Sequence, residues 1–184
     1  AYGAYVFVLD YAGNQILRYD HKGAYLDVLI RFVSGFARMR PASLTTSPGG
    51  RLLTTDAENH AVTVWSPLLD IEINTGEYGW ARGSFNRPSK AAFFGAELIA
   101  VADFGNRRVQ VLSGAGGLER VLDRAGAAPF ESPRYLCGGP DGHLYVADTA
   151  GGAVHVFSPA MEHLVSLGGD PDQMSPSAVA VGWN

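Results

Sequence analysis

The stretch Glu97-Leu-Ile-Ala-Val-Ala-Asp103-Phe-Gly-Asn106-Arg-Arg-Val109-Gln-Val-Leu-Ser113 decides how this chain folds. An apolar run leads into Asp-x-x-Asn, and an alternating run follows that ends at a small polar residue. The alternation sets Val109 and Val111 on one face and Gln110 and Leu112 on the other, a period of two that suits a half-buried strand. Asp103 and Asn106 carry short side chains that bond nearby backbone and tolerate positive φ. The centre therefore reads as the apex of a tight β-hairpin.

The hairpin recurs. Asp10, Asp56, Asp103 and Asp148 are separated by 46, 47 and 45 residues, and each has a β-branched residue six positions later, at Ile16, Val62, Val109 and Val154. Asp20, Ser66, Ser113 and Ser158 follow four positions after that and close the second strand. Proline keeps a second register at Pro41, Pro88, Pro133 and Pro176, with Phe85 and Phe130 three residues ahead of two of them. A period near 45 residues means one supersecondary unit per repeat, here a four-stranded β-sheet, which is a propeller blade.

The pattern Gly-x-x-Phe-x-x-Pro, an apolar strand, then Leu-Tyr-Val-Ala-Asp-x-x-Asn-x-x-Val-x-Val-Phe resembles the NHL repeat of β-propellers. Leu144-Tyr-Val-Ala-Asp148 and Val101-Ala-Asp103-Phe-Gly-Asn106-Arg-Arg-Val109-Gln-Val111 carry the resemblance most closely. It covers nearly the whole chain, with the third repeat nearest the pattern and the first furthest from it. Gly13-Asn14 and Gly151-Gly152 stand where the pattern wants Asn, a conservative departure because glycine also accepts the turn's backbone conformation. The expectation is an all-β chain whose residues 1–184 form a single NHL-type domain of four blades, each of four antiparallel strands.

Composition agrees. The chain of 184 residues is 47% hydrophobic and 17% charged, with 23 Gly and 10 Pro, which suits many short strands joined by tight turns. No window shows helical periodicity, and no run of 18 apolar residues exists, so no membrane span is expected. A net charge of −4 gives no general attraction to nucleic acid or an anionic membrane. Cys137 is the single cysteine, so no internal disulfide can form. No signal peptide is visible, and Tyr5-Val-Phe-Val-Leu9 already reads as a strand. A processed secretory product would begin this way, as would a trimmed chain; a periplasmic or secreted location is expected, with the cytoplasm left open.

The blades are expected at about 5–30, 41–75, 88–123 and 133–167. Outer strands fall at Tyr25–Ile30 and Leu69–Ile73, among others. The first repeat lacks the innermost strand that opens the others, and the tail 176–182 (Pro-Ser-Ala-Val-Ala-Val-Gly) matches it. A tail pairing with the N-terminal segment would close a ring and remove two bare edges. The alternative is part of a six-bladed ring, the number the resemblance more often implies.

The repeated aspartates Asp10, Asp56, Asp103 and Asp148, with Asn14, Asn59 and Asn106, are read as structural turn residues whose side chains satisfy their own turns. His21, His60, His143, His155 and His163 hold no spacing that places two together as ligands on one helix or strand. The resemblance also implies related lyases and lactonases with a metal on the axis. Here Ala42-Ser-Leu-Thr-Thr46, Lys90-Ala-Ala-Phe-Phe94 and Tyr135-Leu-Cys-Gly-Gly139 offer that axis almost no carboxylate or imidazole. No metal, cofactor or catalytic residue is therefore assigned, and Cys137 reads as a small buried thiol.

What remains is surface. Tyr11, Phe36, Tyr78, Trp80 and Phe104 fall in loops and turns, as do Arg40, Arg87 and Arg107, and these eight are the candidate partner-binding residues. The leading expectation is a non-enzymatic protein-binding or scaffolding propeller, an accessory subunit of a larger extracytoplasmic assembly. A metal-dependent enzyme of the lyase or lactonase type is the first alternative and single-stranded RNA binding the second. A protein partner is expected, nucleic acid is not, and a small-molecule ligand is left open.

Overall fold

A strand patterned with period two must pair along both edges and cover its faces, and the chain does this by stacking small antiparallel sheets. A computed structural model describes residues 5–31, 39–95, 97–170, 172 and 174–181. The first sheet holds β1 (Tyr5–Asp10), β2 (Gln15–Asp20) and β3 (Tyr25–Arg31) in that order. The second holds β4 (Pro41–Thr46), β5 (Leu52–Asp56), β6 (Ala61–Trp65) and β7 (Ile71–Thr75). The third holds β8 (Lys90–Phe94), β9 (Leu98–Asp103), β10 (Arg108–Leu112) and β11 (Leu118–Leu122). A two-residue hairpin, β12 (Arg124–Ala125) with β13 (Ala128–Pro129), then leads to the fourth sheet. That sheet holds β14 (Pro133–Gly138), β15 (Leu144–Asp148), β16 (Ala153–Phe157) and β17 (His163–Gly168). The architecture is a β-propeller built from up-and-down blades.

The innermost strands β4, β8 and β14 stand side by side and are stitched by side chains that reach the next backbone. Thr45 donates to the Ala91 carbonyl at 2.8 Å, Lys90 Nζ to the Leu44 carbonyl at 3.0 Å, and Ser89 to the Arg134 carbonyl at 2.7 Å. Two apolar layers fill the gaps between blades. Leu53, Val62, Val64, Phe85, Ile99 and Val101 pack between the second and third sheets. Ala100, Val109, Val111, Leu136, Leu144 and Phe157 pack between the third and fourth.

This layering corrects the half-buried reading of the third repeat. All five residues of β10, Arg108 to Leu112, are buried, because a blade with neighbours on both sides has no solvent face. Gln110 is tolerated there because its amide is hydrogen-bonded: it donates to the Ser84 carbonyl and accepts from the Gly83 N–H.

Three further expectations change. The first sheet has three strands among the described residues, not four. The described tail residues 174–181 form no strand, and among the described residues β1 pairs only with β2. Thr149 donates to the Pro176 carbonyl, Ser175 to the Thr149 carbonyl, and the Val181 N–H meets the Cys137 thiol, so the tail is held against its own fourth blade. The outer strand of the second blade begins at Ile71, since Leu69 takes a φ of 70° inside the Ser66–Asp70 turn. The hairpin at 124–129 had no signal in the pattern. No described helix is long and apolar enough to cross a membrane.

Candidate functional site

In a meander of four antiparallel strands, the turn between the second and third strands lies at the same end as the start of the first. The four aspartate turns and the loops that enter each blade therefore share one end of the molecule. The aspartates join these two kinds of segment. Asp56 accepts from the Glu58 and Asn59 N–H groups of its own turn and from the Arg40 N–H just before β4. Asp148 accepts from Glu131, Ser132 and Gly151 N–H groups. Asp103 accepts from Asn86 N–H at 2.7 Å, Asn106 Nδ2 at 2.9 Å, Arg108 Nε at 2.7 Å and Gln110 Nε2 at 3.1 Å. Among the described residues, the partners of Asp10 are local: the Gly13 N–H, Gln15 Nε2 and, with a smaller effect, the Ala12 N–H.

The turn's left-handed residue sits one place later than the Asn position of the motif. Asn14, His60, Arg107 and Gly152, each four residues after its aspartate, have φ of 48°, 56°, 52° and 65°. The residue three after the aspartate obeys another demand. Asn59 and Asn106 donate their amides to the aspartate there, while a Cβ on Gly13 or Gly151 would strike the Asp10 or Asp148 carboxylate.

The electrostatics follow from these contacts. Burial alone would raise the Asp148 carboxyl; His155 and the N–H groups of Glu131, Ser132 and Gly151 outweigh it and hold the group below the usual carboxylate range. The Gly13 N–H, with Gln15, lowers Asp10. Arg108 and Asp103 form a buried ion pair, and Arg108 also donates to the Trp80, Ala81 and Ser84 carbonyls. That guanidinium thus fastens the loop 76–86 from beneath. Asn106 Nδ2 adds a bond to the Gly79 carbonyl, and Tyr78 bridges Phe85 across the loop.

On top of this clamp stand the exposed aromatics. Tyr78 and Trp80 are 55% and 68% exposed, with ring centroids 5.4 Å apart, and His60 packs on Tyr78 at 4.9 Å. His60 Nδ1 accepts from the Arg87 N–H, and Arg87 points to solvent. Phe104, half-buried in a short 3-10 turn, lies under the Arg134 guanidinium at 4.2 Å. Arg107 pairs loosely with Glu131 at 3.9 Å and Arg40 with Glu58 at 3.0 Å. Tyr11 is 64% exposed in the first turn and close enough to Arg40 to add to the rise in that group's pKa, caused first by Glu58. Seven of the eight candidate partner residues thus share one end; Phe36 lies outside the described residues. His60 and Arg134 complete the surface, and only their positions beside the turn asparagine and the register proline hinted at it.

The innermost strands border an open cavity of about 1490 Å³ reached by Thr46, Lys90, Phe93, Tyr135 and Cys137. Burial lowers the Lys90 ammonium and raises the Cys137 thiol from their ordinary values. No grouping of three or more His, Cys, Asp or Glu able to cage a metal occurs among the described residues. No one strand carries two histidines at a ligand spacing, yet His155 of β16 and His163 of β17 come together across the pair, with ring centroids 6.0 Å apart. A bulge between Val156 and Phe157 sets His163 opposite Phe157, two pairs along from His155 opposite Ser166.

No protein-family model and no curated protein matches the chain. Among solved structures it is similar to a streptogramin B lyase (TM-score 0.75, 15% identity, covering 100% of this chain and 57% of that one). It is also similar to a virginiamycin B lyase from Staphylococcus aureus (TM-score 0.70, 17% identity, 95% and 55% covered). A chain of a nidogen/laminin complex matches with TM-score 0.66 and 18% identity, covering 94% of this chain and 62% of that one. The chain spans a little over half the length of these structures. At such identities the likeness fixes the β-propeller fold and nothing finer.

Proposed function

We propose that this chain is an NHL-type propeller segment that binds another protein through the end bearing the aspartate turns, as a scaffolding or accessory subunit. One observation carries the reading: Tyr78 and Trp80 are exposed on a loop that the Arg108–Asp103 pair clamps from below. Rigid aromatics lose little conformational entropy on binding and are enriched at interface centres. The flanking cations Arg87 and Arg107 suit a partner surface carrying acidic groups around an apolar centre. That propeller folds recur both in lyases and in the nidogen/laminin complex is compatible with this use and with others. The proposal places the chain in the periplasm or outside the cell, which cell fractionation tests.

The test is purification from its native host with quantitative identification of associated proteins, for wild type and for Tyr78→Ala/Trp80→Ala. A specific partner should be lost by at least tenfold from the double variant, whose unfolding midpoint stays near wild type. Equal recovery of that partner with both proteins would overturn the reading.

A further inference from the structure

We propose that His155 and His163, on the rim between the third and fourth blades, form a binding site for one first-row divalent cation of the zinc, nickel or copper class. Two imidazoles converge on a single hydroxyl. His155 Nδ1 lies 2.8 Å and His163 Nε2 2.9 Å from Ser166 Oγ. One hydroxyl has one proton, so it can donate to only one of these nitrogens and must accept from the other.

The surroundings decide which. His155 Nε2 faces the Asp148 carboxylate across 3.9 Å, which favours a proton on Nε2 and leaves Nδ1 bare and aimed at Ser166. A carboxylate behind the far nitrogen of an imidazole is the arrangement that orients histidine ligands in metal centres and raises their basicity. His155 is itself 7% exposed and fixed by ring contacts with Phe130 and His163. His163 is steadied by Phe157, and its Nδ1 edge abuts Gly126 of the 124–129 hairpin, where a Cβ would come within 3.2 Å. Both nitrogens are thus held toward one point before any ion arrives.

That point opens to water, since Ser166 is exposed on the outermost strand. A cation entering there takes two imidazole nitrogens at about 2.0–2.1 Å once the His163 Nε2 proton has passed through water to its own Nδ1; the Ser166 side chain turns aside or remains as a weak ligand, and water completes the shell. Imidazole donors select zinc, copper and nickel over magnesium and calcium. The site stands apart from the central cavity and uses none of the partner-binding residues, so it is independent of the function proposed above.

Calorimetric titration of the chelator-washed full chain with zinc chloride alone tests it. One zinc per chain should bind, His163→Gln should weaken binding at least tenfold, and His143→Gln, a histidine paired elsewhere with Asp141, should leave it unchanged. His155→Gln should match His163→Gln. If burial of that residue prevents folding, Ser166→Asp serves instead: a carboxylate set between the imidazoles should tighten binding at least tenfold. Absence of binding, binding unaffected by His163→Gln, or no gain with Ser166→Asp would each overturn the proposal.

Discussion

Val6 in the first sheet and Ile99 in the third occupy the same place in the repeat, four residues before the turn aspartate. One is 49% exposed and the other 0%. The same holds two residues on, where Val8 is 40% exposed and Val101 0%. The residue six after the aspartate shows no such contrast, since Ile16 and Val109 are both fully buried. Local pattern is therefore shared, and burial is decided by what stands beside each strand. β9 has β8 at its edge and a blade against each face; among the described residues, β1 has β2 alone as a hydrogen-bonded neighbour. Repeat proteins owe most of their stability to such nearest-neighbour contacts, so equal sequences at unequal positions carry unequal energy.

The aspartates give the largest test of that contrast. Asp103 is fully buried and holds four donors, one of them a buried guanidinium. Asp103→Ala strands Arg108 without its countercharge, which costs about 3–5 kcal/mol. Asp10→Ala removes two exposed or half-exposed bonds and should leave the urea midpoint near wild type. Equal midpoints for the two variants would mean that the four turns are energetically equivalent and that position in the array does not matter.

Much of this was legible in the sequence, because the aspartate turn and the register proline are local signals and local signals survive into the fold. Asp56, Asp103 and Asp148 also tether the loop that enters their own blade, and that long-range bond left no trace in the spacing. The exposure of Val6 and Val8 could not be read, since their residue types match those of buried counterparts. The convergence of His155 and His163 was hidden because it depends on a bulge, which shifts register without changing composition. The tail shows the limit of pattern in another way. Its residues have the right pattern for an inner strand, yet 174–181 form none, and Thr149 and Cys137 hold them against the fourth blade.

Acid unfolding sharpens the same comparison with a smaller effect. Asp148 and Asp10 are both held below the ordinary carboxylate value, so each contributes stability above about pH 4, the unfolded-state range. That contribution is lost as pH falls through the lower folded-state value. In metal-free buffer, urea midpoints of the wild type should drop between about pH 5 and pH 2, and Asp148→Asn should flatten that drop. Asp10→Asn should change the slope less, because its donors are solvent-exposed and water replaces them. A steeper limb for Asp148→Asn would show that the carboxylate is not the group whose protonation weakens the fold.

The smallest test concerns backbone alone. Arg107 takes a left-handed conformation at φ 52° and ψ 44°, which strains a residue bearing a Cβ. Arg107→Gly relieves that strain, loses only an exposed contact to Glu131 at 3.9 Å, and gives the unfolded chain more freedom. The net should be a gain of up to about 1 kcal/mol, since left-handed strain of about 1–2 kcal/mol exceeds the entropic term. At the matching position of the first turn, Asn14→Gly should gain less, because asparagine tolerates this conformation better than arginine does. Here the two sheets differ by residue type and not by neighbours, so the ordering should persist whatever adjoins β1. If Arg107→Gly instead lowers the urea midpoint, the arginine side chain is contributing to the turn, and strain is not what distinguishes the two positions.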